Sequence, residues 1–460
     1  MLSYPLKVKE SENQTQRFIK DYGIVKLLRQ CGFHKENGFG TLVVITFLIA
    51  LVFSGRNLYR NLEKGLCEFQ KDVIYRFLNS VRTNWSKFLL ILSYRAYNFI
   101  RPLTSKNRTD CFILDDTLYD KSRSKKLELL AKVFDHVTHK FCKGFRDLTL
   151  GWTDGNTFLP IGFSLLSSQK DENIYQGVND KIDKRTNGYK ARKLSRSNTL
   201  DVALQLLKNA LNIGFKAKYV LFDSWFSYSR FIKKIVDLKL NVICALKDFE
   251  HQYYVYNGKK YRLSSLYNSL KREEFYGDKN IYFAIITADM IVTETGELLP
   301  IKIAFIKTRG KKREWLAIGS TDINLSGEEI TTIYGKRWSI EVFFKVAKSD
   351  LKLAKEFQGR SFDMLNAHTT IVYVRYIMLA LECRKSEDGR TMGELFYFMI
   401  DELNDIKYDE SLKLIIESVF EAMGQTFNPS DEAMRDFATA FIGNLPPHLK
   451  EKFLITDCES

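Results

Sequence analysis

Residues Thr331–Lys348, TTIYGKRWSIEVFFKVAK, set an acid, two bases and a phenol at helical spacing. Arg337, Glu341 and Lys348 stand three, seven and fourteen positions past Tyr334. At about 100° per residue these offsets fall within one narrow stripe of a helix. Ile333, Ile340, Phe344, Ala347 and Leu351 form a neighbouring apolar stripe fit to dock on a core. One helix is therefore expected, with one side buried and a single carboxylate held among cations and a phenol beside it. A solvated amphipathic helix mixes charges in the same way, so the stripe alone assigns no chemistry.

The full spelling goes further. Tyr334-x2-Arg337-x3-Glu341-x6-Lys348 resembles the YREK motif of bacterial insertion-sequence transposases of the DDE type, in the insertion-sequence-four group, and the flanking RWSIE and FFK are similar to that family in style. The resemblance implies a ribonuclease-H-like core in which Glu341 is the last of three metal-binding carboxylates. Two aspartates are then expected upstream, each closing a buried strand.

Cys111–Thr117, CFILDDT, is a short apolar run ending in two acids, as a buried central strand does. Carboxylates there lie at the carboxyl edge of a sheet, where α/β folds place ligands. Asp116, followed by Thr117, resembles the family's first catalytic aspartate, with Asp115 its close competitor. Successive strand residues face opposite sides, so only one of the two is expected in the site. Lys218–Ser224, KYVLFDS, repeats the pattern and offers Asp223 as the second. An isolated strand-end aspartate commonly caps a helix; two of them ahead of a glutamate helix, in family order, favour the catalytic reading.

The remaining stretches supply the expected frame. Arg146–Ser167 reads as a hairpin turning at Asp154-Gly155-Asn156, with Pro160 placed where a missing N–H does no harm. Helices are expected over Thr199–Leu211 and Ser227–Leu238, and a strand over Asn241–Lys247. Residues 181–196, KIDKRTNGYKARKLSR, hold seven Lys/Arg with little apolar content. A solvated loop is one reading; a flexible segment ordered on DNA phosphates is the one favoured here. Residues 250–313 look β-rich, with a hairpin at Asn257-Gly258 and a basic turn at Thr308–Lys312. This fits the β insertion the family carries. Trp315 is expected in the core, a base-stacking role being the alternative.

The expected class is α/β, a ribonuclease-H-like catalytic core with a β-rich insertion, preceded by an all-helical N-terminal domain and followed by a helical C-terminal region. The divisions are 1–105 for DNA binding, 106–249 for the first part of the core, 250–320 for the insertion, 321–385 for the second part and 386–460 for the tail. The N-terminal helices read equally as a cap that merely packs on the next domain.

Composition agrees with a polyanionic partner. Lys and Arg number 70 against 55 Asp and Glu, a net charge of +15 with a pI near 9.2. The first residues lack the apolar core of a secretory signal. Thr41–Ser54 is apolar but too short for a membrane span, and Thr369–Leu381 carries Arg375 in its middle. Both are expected as buried helices. Seven cysteines without pairing pattern fit reduced thiols. His136, His139 and Cys142 are expected to share a helical face at three-residue spacing, which can suit zinc, but they lack a fourth ligand and are set aside. No GxxxxGK[ST], GxGxxG or GxSxG occurs, so no nucleotide cofactor is expected.

By resemblance, Asp116, Asp223 and Glu341 hold two Mg²⁺ ions, with Mn²⁺ able to substitute. Arg337 and Lys348 grip phosphates of the transposon end and Tyr334 positions one near the cut. The implied enzyme binds terminal repeats, cleaves the ends and joins the 3′-hydroxyls to target DNA. The implied partners are double-stranded DNA and a second copy on that DNA, with no membrane and no nucleotide cofactor, in the cytoplasm of a bacterium at the nucleoid. A catalytically silent sequence-specific DNA-binding protein, and a nuclease that cuts without joining, stay open as alternatives.

Overall fold

The computed structural model describes residues 13–33, 38–55, 58–63, 69–104, 108–135, 138, 140–270, 282–307, 315–385, 415, 418–427 and 429–444. Within them one 11-stranded mixed sheet organises the molecule. Its first strand, β1 (Cys111–Asp120), pairs antiparallel with β3 (Lys140–Thr153) and parallel with β5 (Tyr219–Phe222), and β5 pairs parallel with β6 (Asn241–Ala245). On its far side β3 carries β2 (Ala131–Asp135) toward one end and β4 (Phe158–Leu166) toward the other. A central strand flanked by a hairpin on one side and parallel strands on the other is compatible with a ribonuclease-H-like core.

The hairpin turns where expected. Gly155 has φ +90°, and the Asp154 carboxylate accepts the N–H groups of Asn156 and Thr157 at 2.9 and 2.8 Å. Pro160 sits opposite Gly151 at a register shift in β4, which pairs with β3 alone, so no ladder bond is lost there. Gly151 has no room for a side chain, since a Cβ would lie 2.1 Å from the Phe158 ring.

The β-rich stretch is continuous with this sheet. β11 (Trp315–Ser320) pairs antiparallel with β6, and β10 (Leu298–Lys307), β9 (Tyr282–Ile291), β7 (Tyr254–Tyr256) and β8 (Lys259–Tyr261) follow outward. Asn257 and Gly258 both take positive φ between β7 and β8, as a primed turn requires. Trp315 stacks on Tyr267 at 4.6 Å and packs on the core. The expected basic turn at 308–312 lies outside the described residues.

Helices cover both faces. α8 (Thr199–Ile213) packs on β3 and β4 from one side. From the other side α12 (Trp338–Ser349) and the 24-residue α13 (Phe362–Lys385) pack on β1 and β4. α13 is the central helix of the molecule, buried along most of its length. Among the described N-terminal residues, α3 (Thr41–Ala50), α5 (Lys71–Leu78) and α6 (Trp85–Ile100) pack on α13. Arg375, fully buried, explains how a cation sits inside an apolar helix. It donates to the carbonyls of Leu48 and Ile49 at the end of α3 and pairs with Glu356 at 2.9 Å. No described helix is long and apolar enough to cross a membrane.

Two expectations need correction. The basic run 181–196 is not one flexible loop: Asn187–Ser195 forms helix α7, capped by the Thr186 hydroxyl. Gly188, Arg192 and Ser195 recur at helical spacing on its buried side. Arg192 pairs with Glu128 at 2.7 Å and with Asp363 at 2.6 Å, so it faces the interior instead of a phosphate. Cys142 lies within β3, so it shares no helical face; His136 and His139 lie outside the described residues.

Candidate active site

Sheet register brings the first two acids together. Leu114 of β1 pairs with Phe222 of β5, so Asp115 and Asp223 follow at the same level of adjacent parallel strands. Both strands end their apolar runs here, at the carboxyl edge where α/β sheets leave room for ligands. Asp223 continues in extended conformation, and its carboxylate accepts the Trp225 N–H at 2.9 Å. It therefore also caps the short turn that follows it, the commoner role of such a residue.

The third acid arrives on a broken helix. The stretch expected as one helix is two, α11 (Gly327–Gly335) and α12, joined by a tightened turn at Lys336–Arg337. There the bonds run from Arg337 N–H to the Tyr334 carbonyl and from Ile340 N–H to the Arg337 carbonyl, three residues back in each case. A Ser326–Glu329 capping box starts α11. The apolar stripe Ile333, Ile340, Phe344, Ala347 and Leu351 is buried, as expected. It holds the polar stripe against β1. Glu341 lies in the first turn of α12, where the helix dipole favours negative charge.

Arg337 ties the elements together. Its Nη1 donates to Asp115 Oδ2 at 3.1 Å and its Nη2 to Glu341 Oε1 at 2.5 Å. Its guanidinium carbon lies 5.8 Å from the centre of the Tyr334 ring. Further along α12, Lys348 Nζ donates to Thr117 Oγ1 at 2.6 Å. Arg337 and Lys348 thus reach β1 at Asp115 and Thr117, with Glu341 and Tyr334 held beside Arg337.

Asp116, the residue expected from sequence, is not in this group. It is gripped by Arg146, whose Nε reaches Asp116 Oδ2 at 2.7 Å and whose Nη2 reaches Oδ1. The reason is strand alternation. Asp115 faces α12 together with Thr117 and Tyr119, while Asp116 faces away with Arg146. The structure therefore places Asp115, in place of Asp116, beside Arg337 and Glu341.

The electrostatics match the geometry. Burial first, then Asp223 and Asp116, push the Asp115 carboxyl up to about 7 against the pull of Arg337. Burial likewise raises Asp223, opposed by its bond from Trp225. Burial lowers Lys348, opposed chiefly by Asp147, and pushes the Tyr334 phenol up to about 12.

Sequence reading missed the layer behind. Asp147 of β3 pairs opposite Thr117 and is fully buried, with Tyr373 of α13 donating to it at 3.0 Å. The Tyr373 hydroxyl also lies 2.6 Å from that of Thr149, the partner of Asp115. An acid at the start of the apolar half of β3, DLTLGW, was the available signal, and the alternation of the strand would have turned it toward α12.

Hard carboxylate oxygens on two adjacent strand ends and a facing helix have the chemistry of a divalent-cation site. Their mutual repulsion requires a cation, and the Arg337 guanidinium now stands between two of the three. Among the described residues no three His, Cys, Asp or Glu side chains are drawn close enough to hold a metal. The donor set fits; Asp115 and Glu341 are set around the guanidinium.

Two family models match the chain. That of the DDE superfamily endonuclease covers residues 49–258, including Asp115 and Asp223. That described as "Archaeal putative transposase ISC1217" covers residues 174–382, including Asp223 and the Tyr334–Lys348 stripe. No curated protein matches the chain. Each model spans somewhat less than half of the chain, and over residues 49–382 the chain is similar to DDE superfamily endonucleases and transposases.

Proposed function

We propose that the chain is a DDE transposase that binds the terminal repeats of a mobile element, cleaves its ends and joins the freed 3′-hydroxyls to target DNA. The observation that carries this reading is the Arg337 bridge. It joins an acid on the central strand to an acid on the helix, beside a third acid on the neighbouring parallel strand. Asp115, Asp223 and Glu341 would hold Mg²⁺ or Mn²⁺, taking Asp115 in the place first expected for Asp116. Such ions activate a water or 3′-hydroxyl and neutralise phosphate charge. Arg337, released from one of its carboxylates, has the fork to hold a phosphate bidentately. Lys348 supplies a second cation along β1, and the Tyr334 hydroxyl orients a phosphate near the cut.

Placement in the insertion-sequence-four group rests on the Tyr334, Arg337, Glu341 and Lys348 spacing. Work on two ends implies a dimer on DNA. The N-terminal helices, with Lys26 and Arg29 exposed on α2 (Ile24–Gln30), would hold the repeats.

The test is Mg²⁺-dependent cleavage of DNA bearing the inverted repeats that flank the gene, comparing wild type, Asp115→Ala and Asp116→Ala. Wild type and Asp116→Ala should cut while Asp115→Ala does not. Loss in Asp116→Ala alone would move the site to the other face of β1, and full activity in both variants would sink the reading. The similarity of residues 49–258 to DDE superfamily endonucleases favours a second reading, a nuclease that cuts without joining. Pre-cleaved ends decide between them, since a nuclease yields no joined product.

A further inference from the structure

We infer that the far end of the β2–β3 hairpin is a binding surface for an unpaired DNA strand leading away from the candidate active site. The inference rests on the nuclease or transposase reading above and adds to it a surface that this reading does not use. β1 and β3 run past Asp115 beyond the carboxyl edge of the parallel strands, and β2 joins them there. Antiparallel partners share a face. Asp115 pairs with Thr149 and Thr117 with Asp147; on the same β3 face, two residues apart each time, come Phe145, Lys143 and Phe141. Lys143 pairs in turn with Lys132, and Phe141 with Phe134. One face of the sheet thus runs from the acid cluster, past Lys348, to a group of lysines and aromatics.

That group is exposed and basic. Phe141 is 63% exposed and Tyr175 51%. Lys132 Nζ lies 4.6 Å from the centre of the Phe141 ring, and Lys143 Nζ 4.8 Å from that of Tyr175. Arg123, Lys125 and Lys126 are exposed on the loop after β1. The main-chain bond from Tyr175 to the Leu130 carbonyl at 2.8 Å holds that ring in place. Large aromatics left in water are unfavourable for folding alone. Cations interleaved with aromatic faces are what a single strand recognises: phosphates meet the lysines and unstacked bases meet the rings. A duplex hides its base faces and would use only the lysines. Lys143 lies four residues along β3 from Asp147, about 13 Å at 3.3 Å per residue, a span of two or three nucleotides from Lys348.

The experiment measures fluorescence anisotropy with the full chain in EDTA, where no cleavage intervenes. Probes are a labelled duplex with a single-stranded 3′ tail and the same duplex blunt. Phe141→Ala should weaken binding of the tailed probe about fivefold or more and leave the blunt probe unchanged, with Phe141→Tyr restoring it. Lys132→Glu with Lys143→Glu should weaken both probes and reduce the salt slope by about one or more. If wild type binds DNA and cuts it with Mg²⁺ while these variants bind as wild type does, the surface is refuted and the proposed function stands. Equal loss on both probes in Phe141→Ala refutes the unpaired strand. A wild type that binds neither probe and cuts nothing removes the proposed function and this surface with it. Unchanged thermal melting of the variants shows that each loss is local.

Discussion

Arg192 and Arg337 each bridge two carboxylates, and their settings are opposite. Arg192, 3% exposed, joins Glu128 and Asp363, which are 9% and 6% exposed. Glu128 there also accepts the N–H groups of Phe362 and Asn179, and although burial alone would raise it, the Arg192 bond and then these two hold it below its ordinary value. Arg337 joins Asp115 and Glu341, which are 15% and 34% exposed, and Asp115 is pushed well up. The first site satisfies its charges from within the fold, as a pair that locks α7, the loop before β2 and α13 together should. The second leaves carboxylates crowded and only partly compensated, which marks a place where a ligand completes the electrostatics.

This contrast can be broken by substitution. The largest expected effect is on chemistry: Glu341→Ala or Asp223→Ala should lower DNA cleavage by on the order of a thousandfold or more while leaving the melting temperature near wild type. A large drop in melting temperature for Glu341→Ala would make this site structural as well. Arg192→Met should do the reverse, costing about 3–5 kcal/mol in chemical denaturation by leaving two buried carboxylates unpaired. Arg337→Ala should cost clearly less stability than Arg192→Met, because Asp115 is already pushed toward its neutral form and Glu341 reaches water. Equal losses would erase the distinction.

Asp147 sharpens the comparison through pH. Burial pushes it up to about 7 despite the bond from Tyr373 and the nearby Lys348. Its folded-state value lies above its unfolded one, so the folded protein binds more protons across the interval between them. Stability from this group is present below the unfolded value and is lost as pH rises through about 7. Wild type should therefore lose a few kcal/mol in urea between pH 5 and 8 that Asp147→Asn does not lose. The smallest effect concerns Gly151→Ala, which must displace the Phe158 ring and should cost about 1–3 kcal/mol without touching cleavage of the surviving folded protein.

Much of this was legible in the chain because it depends on neighbours in sequence. Turn chemistry at Asp154-Gly155 and Asn257-Gly258 marked two hairpins, since positive φ is a local demand. The apolar runs before Asp115 and Asp223 marked buried strands, and the recurrence of Ile340, Phe344 and Ala347 marked the buried side of α12. Helical spacing also put Arg337 and Glu341 within reach of each other. Alternation along β1 said that one of Asp115 and Asp116 enters the site.

It did not say which. That choice depends on the register of β1 against β5 and on the side from which α12 approaches, and both are long-range packing outcomes. Arg146, which takes Asp116, comes from a strand 30 residues away in sequence. Arg192 sat in a basic run that looked solvated, and only Glu128 and Asp363, 64 and 171 residues distant, could turn it inward. The break at Lys336–Arg337 follows Gly335, a stop signal that the unbroken helical spacing of the stripe overrode in the sequence reading. Local steric preferences and hydrophobic period are properties of the chain alone. The partner that a buried charge finds belongs to the folded whole, because burial makes an unpaired charge costly enough for distant segments to settle its direction.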